Sequence, residues 1–500
     1  MGAYKELRAK LREAAVLGSV GGLLGWDQET YMPPGAVGGR ADQAALLAKL
    51  THERRTAPEL GDLIDAAMED ADASDEADLA NLALIRRDFE RSRRLPTELV
   101  SELASVTAHA QHAWKDAREN NDFVSFAPTL EKVISLSRKK AECYGFADGG
   151  ELYDALLEDY EPGATAAQIE AVFTPLGERL SSLVARLMSD GTAPDDSPTR
   201  VVIPEANQHQ FGLFILEKLG FDLERGRLDT TTHPFCEGFA PGDTRLTTRY
   251  RESRFTDALY GTMHEMGHGL YEQGLDKASR FGEPLGESVS LGIHESQSRM
   301  WENLVGRSEA FWRWAMPHAN EMLGDLGGAD VDAMYSAVNK TDRSFIRVEA
   351  DEATYNLHVM LRFEIERALF GGDLSVGDLP GAWDERFEQL MGVEVPDVSR
   401  GCIQDVHWSA GLFGYFPTYC LGNLYAAQLW EAMTRDLGDL ADPILKGEFG
   451  VLLGWLREKV HAPGRQFSAD ELCHRATGEP LSPEPLMRHL ESRFLPVYGL

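Results

Sequence analysis

Through most of the chain, hydrophobic residues recur at three- and four-residue steps, the spacing of one face of an α-helix. From Tyr4 to about Met188 that pattern repeats between short polar breaks. The first stretch runs to Trp26-Asp27-Gln28-Glu29 and stops at Pro33-Pro34-Gly35. A second covers Arg40–Arg55. One or two more fill Asp62–Arg94, with an acidic run from Glu69 to Asp78 as the break, and Leu95-Pro96-Thr97 restarts the pattern through Trp114. Long antiparallel helices with short turns are the arrangement this implies. Ser189–Arg200 reads as a polar surface loop, and Gln208–Leu219 is helical again, ending at Gly220. The period changes only over Arg227–Tyr250, where two β-leaning runs flank Pro241-Gly242-Asp243 and predict a hairpin. Helical spacing then returns over Thr256–Gly274, Glu287–Gly306, Phe311–Leu326 and, without interruption, Val331–Leu369.

The Thr256–Gly274 helix carries His264-Glu265-Met266-Gly267-His268, an HExxH sequence. Residues four apart share one helix face about 5–6 Å apart. Two imidazoles so placed can hold one tetrahedral metal ion, zinc being the usual guest. Glu265 is turned by roughly 100° from His264 and is free to take a proton from a water. A third ligand must come from elsewhere. Glu272 continues the row, but eight residues of helix rise about 12 Å, too far from His264 for one ion. The following helical pattern offers Glu287, Glu295 and Glu302 on broadly one face, and spacing does not choose among them. His109 and His112, three apart, have no acid or cysteine at ligand spacing and read as an exposed helix face.

The predicted hairpin immediately precedes this helix. Its edge strand is either a structural cover or a place for a peptide to add itself as a further strand. His233 and Arg245 are its notable polar residues. Arg347 lies four residues before Asp351 and reads, on spacing alone, as an i,i+4 ion pair on a solvated face. Ser399–Leu421 is dense in polar and aromatic groups, with Gln404, Asp405, His407, Trp408, Tyr415 and Tyr419, and is a candidate to return and line a site.

A net charge of −32 over 500 residues argues against nucleic acid or an anionic membrane as partner. No apolar run reaches the length of a membrane span and no signal-peptide core opens the chain. Five scattered cysteines without a CxxC pair fit reduced thiols, hence a cytoplasmic protein.

Taken together, HPF (233–235), DTRLT (243–247), HEMGH (264–268), HESQS (294–298), IRVEAD (346–351) and GCIQDVHW (401–408) stand in the order seen in the Carboxypeptidase Taq family of metallocarboxypeptidases, which the chain resembles. WDQETYMPPG near the start and the terminal VYGL extend the match over essentially the whole length. The resemblance implies a mainly α, saddle-like subunit with a deep central groove and a small sheet beside the HExxH helix. It would form one catalytic domain over residues 1–500, helical over 1–200 and carrying the metal site and substrate motifs over 201–500. It implies a homodimer and one zinc per subunit, with cobalt able to serve. His264, His268 and Glu295 become the ligands, and Glu265 the general base. Arg347 becomes the group that grips a free C-terminal carboxylate, which replaces the ion-pair reading. His407 and Tyr419 or Tyr415 help hold the terminal residue or the oxyanion, and His233, Arg245 and Gln404 join them as substrate-side candidates. The expected activity is release of single C-terminal residues with broad specificity. The alternatives are a helical zinc oligopeptidase, which would not need the Arg347 fork, and a non-catalytic peptide-binding scaffold, against which the intact Glu265 speaks.

Overall fold

A computed structural model describes residues 2–70 and 75–500. The N-terminal pattern folds as expected into long helices: Ala3–Thr30, Val37–Arg55, Pro58–Glu69, Glu76–Arg93, Thr97–Asn120, Phe123–Tyr144 and Ala166–Asp190. Their ends follow local chemistry. Pro58 stands in the first turn of its helix, where its missing N–H costs nothing. Asp75 and Asp122 cap the backbone N–H groups of Asp78 and Ser125, and Thr165 with Gln168 forms a capping box. Residues 71–74, in the middle of the predicted acidic break, lie outside the described residues.

Two hydrophobic cores result. A small one gathers Leu7, Leu60, Ile64, Leu82, Ile85 and Phe89 under the first helices. A large one joins everything from Ala110 to Tyr498, and Met263, Met266, Trp301, Trp312 and Phe363 sit within it. The HEMGH helix, Phe255–Gly274, runs through that core with most of its side chains buried.

The hairpin expected around Pro241 is one part of a three-stranded sheet: β1 (Gly226–Thr230), β2 (Cys236–Ala240) and β3 (Asp243–Thr248), in the order β1-β3-β2. β2 and β3 are antiparallel, and Gly242 supplies the left-handed turn between them at φ 82°. β1 pairs parallel with β3, Leu228 opposite Leu246. The run read from the sequence as one β-leaning segment is therefore split by the Thr231–Phe235 lead, whose Pro234 cannot donate to a ladder. β3 presses on the HEMGH helix so closely that a Cβ on Gly269 would lie 2.9 Å from Leu246.

Two predicted helices are corrected. The second begins at Leu291 rather than Glu287, because Ser290 is extended and caps the Ile293 N–H. It runs as an α-helix to Arg299 and continues as a π-turn over Met300–Val305. The uninterrupted helix over Val331–Leu369 is two, Val331–Val338 and Tyr355–Gly371, with only a short 3₁₀ turn at Arg347–Glu349 between them. Asp351 accepts from the N–H groups of Asp342, Ala353 and Thr354. It thereby organises the loop instead of pairing with Arg347.

That loop is fastened to the C-terminal helix Glu484–Val497 by a buried cluster. Glu352 accepts from Arg493 at 2.9 Å and lies 2.9 Å from His489. Burial alone would raise its carboxyl, but His489 and Arg493 overcome that and hold it down at about 2, against an ordinary 4.5. A depressed carboxyl contributes stability that is present above its unfolded pKa and lost as pH falls through the folded one. The window here is pH 4.5 to 2, and the contribution is on the order of 3 kcal/mol. Urea unfolding of wild type and Glu352→Gln should therefore show the largest gap near pH 6 and a closing gap below pH 4. A gap independent of pH would remove Glu352 as its source.

Candidate active site

The HEMGH and HES helices cross at Gly267. A Cβ there would stand 2.5 Å from the Gln297 carbonyl oxygen and from Ser298 Cα, so only hydrogen permits the approach. On the other side, Gly422 of the Pro417–Leu437 helix leaves room for Glu295, whose Cγ would be 2.5 Å from a Cβ. Glu295 is thus pressed against the histidine face. Its Oε2 lies 3.6 Å from His264 Nε2 and 3.3 Å from His268 Nε2, and the three ligand atoms are all within 4.8 Å of one another.

The far side of each ligand is held. His264 Nδ1 donates to Glu302 at 2.9 Å, and His268 Nδ1 donates to the His294 carbonyl at 3.0 Å. Each ring therefore turns Nε2 toward Glu295, the orientation ligating imidazoles take when a carboxylate or carbonyl holds the other nitrogen. Glu295 Oε1 accepts from Arg299 at 2.7 Å, leaving Oε2 inward. Two neutral nitrogens and a carboxylate oxygen so arranged fit a tetrahedral divalent ion with one position open. The electrostatics agree. Burial disfavours charge on His264, yet Glu295, Glu302 and Glu265 outweigh it and raise the imidazole to about 9; the same field favours a dication. Burial, His294 and His264 push His268 down to about 4 despite Glu295.

Glu265 is buried and makes no side-chain hydrogen bond to the protein among the described residues. Burial lifts it to about 7, with His264 pulling the other way, near the value suited to a general base. Of the other acids considered from spacing, Glu287 pairs with Arg465 at the surface. Glu302 orients His264. Glu272 lies against His294 and Lys277, away from the ligand trio.

Arg347, read from spacing as a solvated ion pair with Asp351, is instead 5% exposed. Its Nε and Nη2 both donate to Asp405 Oδ1, at 3.1 and 2.9 Å, and its Nη1 donates to Tyr355 Oη at 2.9 Å. Five N–H donors less these three leave two, one on each terminal nitrogen, for a further acceptor. Arg362 takes Asp405 Oδ2 at 2.8 Å, and despite burial the two arginines hold that carboxyl far below its usual range. The guanidinium stacks 4.9 Å from the Tyr419 ring. His407 Nε2 lies 3.3 Å from Tyr419 Oη; burial and then Arg347 push it down to about 3, so it stays neutral. Tyr415 packs on Tyr419 and on Tyr160.

The remaining candidates stand apart. Gln404 accepts from the Arg347 backbone N–H and donates to the Phe345, Arg400 and Gly401 carbonyls, so it braces the Arg347 loop. Arg245 pairs with Asp243 and lies over Trp26 and Phe239, pinning the first helix to the sheet. His233 is exposed ahead of β2. His109 and His112 are exposed, as read from the sequence. Sequence reasoning passed over Arg299 and Tyr355. Arg299 stands four residues after Glu295, a spacing that could have shown it.

An HExxH pair and a distal glutamate brought together on buried helices define a metallopeptidase. The chain belongs to the Carboxypeptidase Taq (M32) metallopeptidase family, which it matches over residues 6–494. It is 45% identical to Thermostable carboxypeptidase 1 of Thermus thermophilus over 99% of each chain. The structure superposes on the M32 carboxypeptidase of Deinococcus radiodurans with a TM-score of 0.96 at 39% identity over the whole of both chains. With the Trypanosoma cruzi metallocarboxypeptidase 1 the TM-score is 0.94 at 36% identity, over 98% of this chain and 99% of that one. The protein is accordingly a metal-dependent carboxypeptidase, not the internally cutting oligopeptidase weighed as the alternative.

Glu302 is expected to act through His264. Glu302→Ala should weaken zinc affinity about 10- to 100-fold, read by competition with a chromophoric chelator. An unchanged affinity would show that the ring keeps its orientation without it.

Proposed function

We propose that the chain removes single residues from peptides with a free C-terminus, using one zinc ion held by His264, His268 and Glu295. The observation that carries this reading is the pair of N–H donors left free on Arg347 after Asp405 and Tyr355 have taken the other three. A bound dication would supply Lewis acidity, polarising the scissile carbonyl and making a nearby water easier to deprotonate. Glu265 takes that proton as the water attacks and passes it to the leaving amine. Arg347 grips the terminal carboxylate, whose charge matches its own in a site with little water. Tyr419, kept a neutral phenol by burial, with His407 beside it, offers a donor to the developing oxyanion.

The upstream part of the peptide has a place. Among the described residues β2 pairs with β3 alone, and a groove of about 490 Å³ is lined by Cys236–Gly238 and Ser288–Ser290. An added strand there would run along the outer edge of β2, where Lys277 Nζ donates to the Gly238 carbonyl at 2.8 Å. Broad side-chain tolerance follows from recognition through backbone and terminus. The whole chain would work as one catalytic domain. A homodimer and a cytoplasmic setting complete the reading, the second supported by five free cysteines. No helix among the described residues is long and apolar enough to cross a membrane.

Mass spectrometry of one peptide as free acid and as C-terminal amide tests the reading. The zinc-loaded protein should give a one-residue ladder from the acid only; internal cuts in both peptides would sink it. Glu265→Gln should bind zinc normally and lose about 10²- to 10⁴-fold in kcat. Arg347→Ala should raise KM for free acids about 10- to 100-fold, and equal KM values would take Arg347 out of the role.

A further inference from the structure

We propose that Tyr355 is a positioning residue that sets the register between the metal ligands and the carboxylate clamp, and so fixes which bond is cut. The inference rests on Arg347 being that clamp.

Tyr355 opens the Tyr355–Gly371 helix and is 6% exposed. Its hydroxyl accepts from Arg347 Nη1 at 2.9 Å. Its ring carries the Arg299 guanidinium, whose carbon lies 4.3 Å from the ring centroid. Arg299 in turn donates to Glu295 Oε1 at 2.7 Å and to Glu302 Oε2 at 3.1 Å, and Glu302 holds His264. One side chain therefore touches both the group that holds a ligand and the group that holds the substrate's end.

The need for such a contact comes from the chain's own layout. The ligands ride on two buried helices, whereas Arg347 sits on a loop with one short 3₁₀ turn. Asp405 and Gln404 fasten Arg347 to the Gly401–Trp408 segment, which bears no ligand. A second tie runs through the Tyr419 ring on the Pro417–Leu437 helix, which packs on Glu295 at Gly422, whereas Tyr355 joins the two groups through a single side chain with a hydrogen bond at one end. One residue of extended chain spans about 3.3–3.6 Å, and a displacement of about 1 Å is enough to spoil a reacting geometry. A rigid aromatic ring, with few torsions to disorder, is suited to hold that spacing.

Ring and hydroxyl separate the two halves of the role. Tyr355→Phe keeps the platform under Arg299 and removes the tie to Arg347. It should bind zinc within twofold of wild type and keep kcat within threefold. KM for a free-acid peptide should rise about tenfold, for the loss of one hydrogen bond to a charged group, and the preference for acid over amide should fall by the same factor. Tyr355→Leu removes the platform as well and should in addition weaken zinc binding about tenfold in chelator competition, with thermal unfolding run alongside. A phenylalanine variant with wild-type KM and wild-type acid preference would overturn the proposal, and it remains decisive where the leucine variant fails to fold. So would a folded leucine variant that binds zinc as wild type does. If wild type itself cuts the amide as readily as the acid, the clamp reading fails first, and the role of Tyr355 with it.

Discussion

The site depends on one close approach. At Gly267 the HEMGH helix has no side chain, and the backbone of the HES helix at Gln297–Ser298 occupies the space a methyl group would take. Helices separated by ordinary side chains lie 8–10 Å apart; at Gly267 the side chain that would hold these two apart is missing. Removing the methyl brings the axes closer and puts Glu295 Oε2 within 3.6 Å of both imidazoles. Gly422 closes the same sandwich from the opposite side. The metal geometry is thus set by backbone packing before any coordination chemistry operates.

Close packing also brings charges together where water cannot screen them, and such charges need partners. Glu265, Glu295 and Glu302 stand near His264, with Arg299 as the balancing cation. The outcomes diverge by partner. Glu295 and Glu302 are hydrogen-bonded to Arg299 and kept ionised. Glu265 has no such bond, and burial moves it toward neutrality. Within one cluster, the two carboxylates that Arg299 hydrogen-bonds stay ionised and the one it does not bond moves toward neutrality.

Much of this was legible in the sequence and some was not, for reasons that can be stated residue by residue. HExxH encodes its own geometry, because both histidines share a helix whose rise and twist are known. The glycine inside it gives no such signal, since its meaning lies in a helix some thirty residues away. Glu287, Glu295 and Glu302 were equivalent on spacing only under the assumption of one continuous helix from Glu287; the Ser290 cap and the π-turn after Arg299 break that equivalence. Arg347 was misread from spacing for the same reason. The polar run Asn339–Asp342 marks a break that the apolar periodicity on either side conceals. Family resemblance named Glu295 and Arg347 because it carries tertiary information that local pattern lacks. It was silent on Arg299 and Tyr355, which fall between the motifs.

What separates an exopeptidase from an endopeptidase on this architecture is then a matter of position rather than of metal chemistry. The ligand trio and Glu265 would serve hydrolysis of any peptide bond presented to them. On the proposed reading, restriction to the last bond would come from Arg347, a cation with two further donors in a site where an unmatched buried charge is costly. Asp405 would underpin that selectivity. It compensates the Arg347 charge enough for the arginine to be buried, yet through Oδ1 it accepts only from the Nε side, while its Oδ2 is taken by Arg362. That acid is shared with a second arginine, and Arg347 keeps one N–H on each terminal nitrogen beyond its bonds to Asp405 and Tyr355. A substrate without a terminal carboxylate would then bury those donors without an acceptor, and on the proposed reading this penalty, rather than any added attraction at the metal, would select for the free C-terminus.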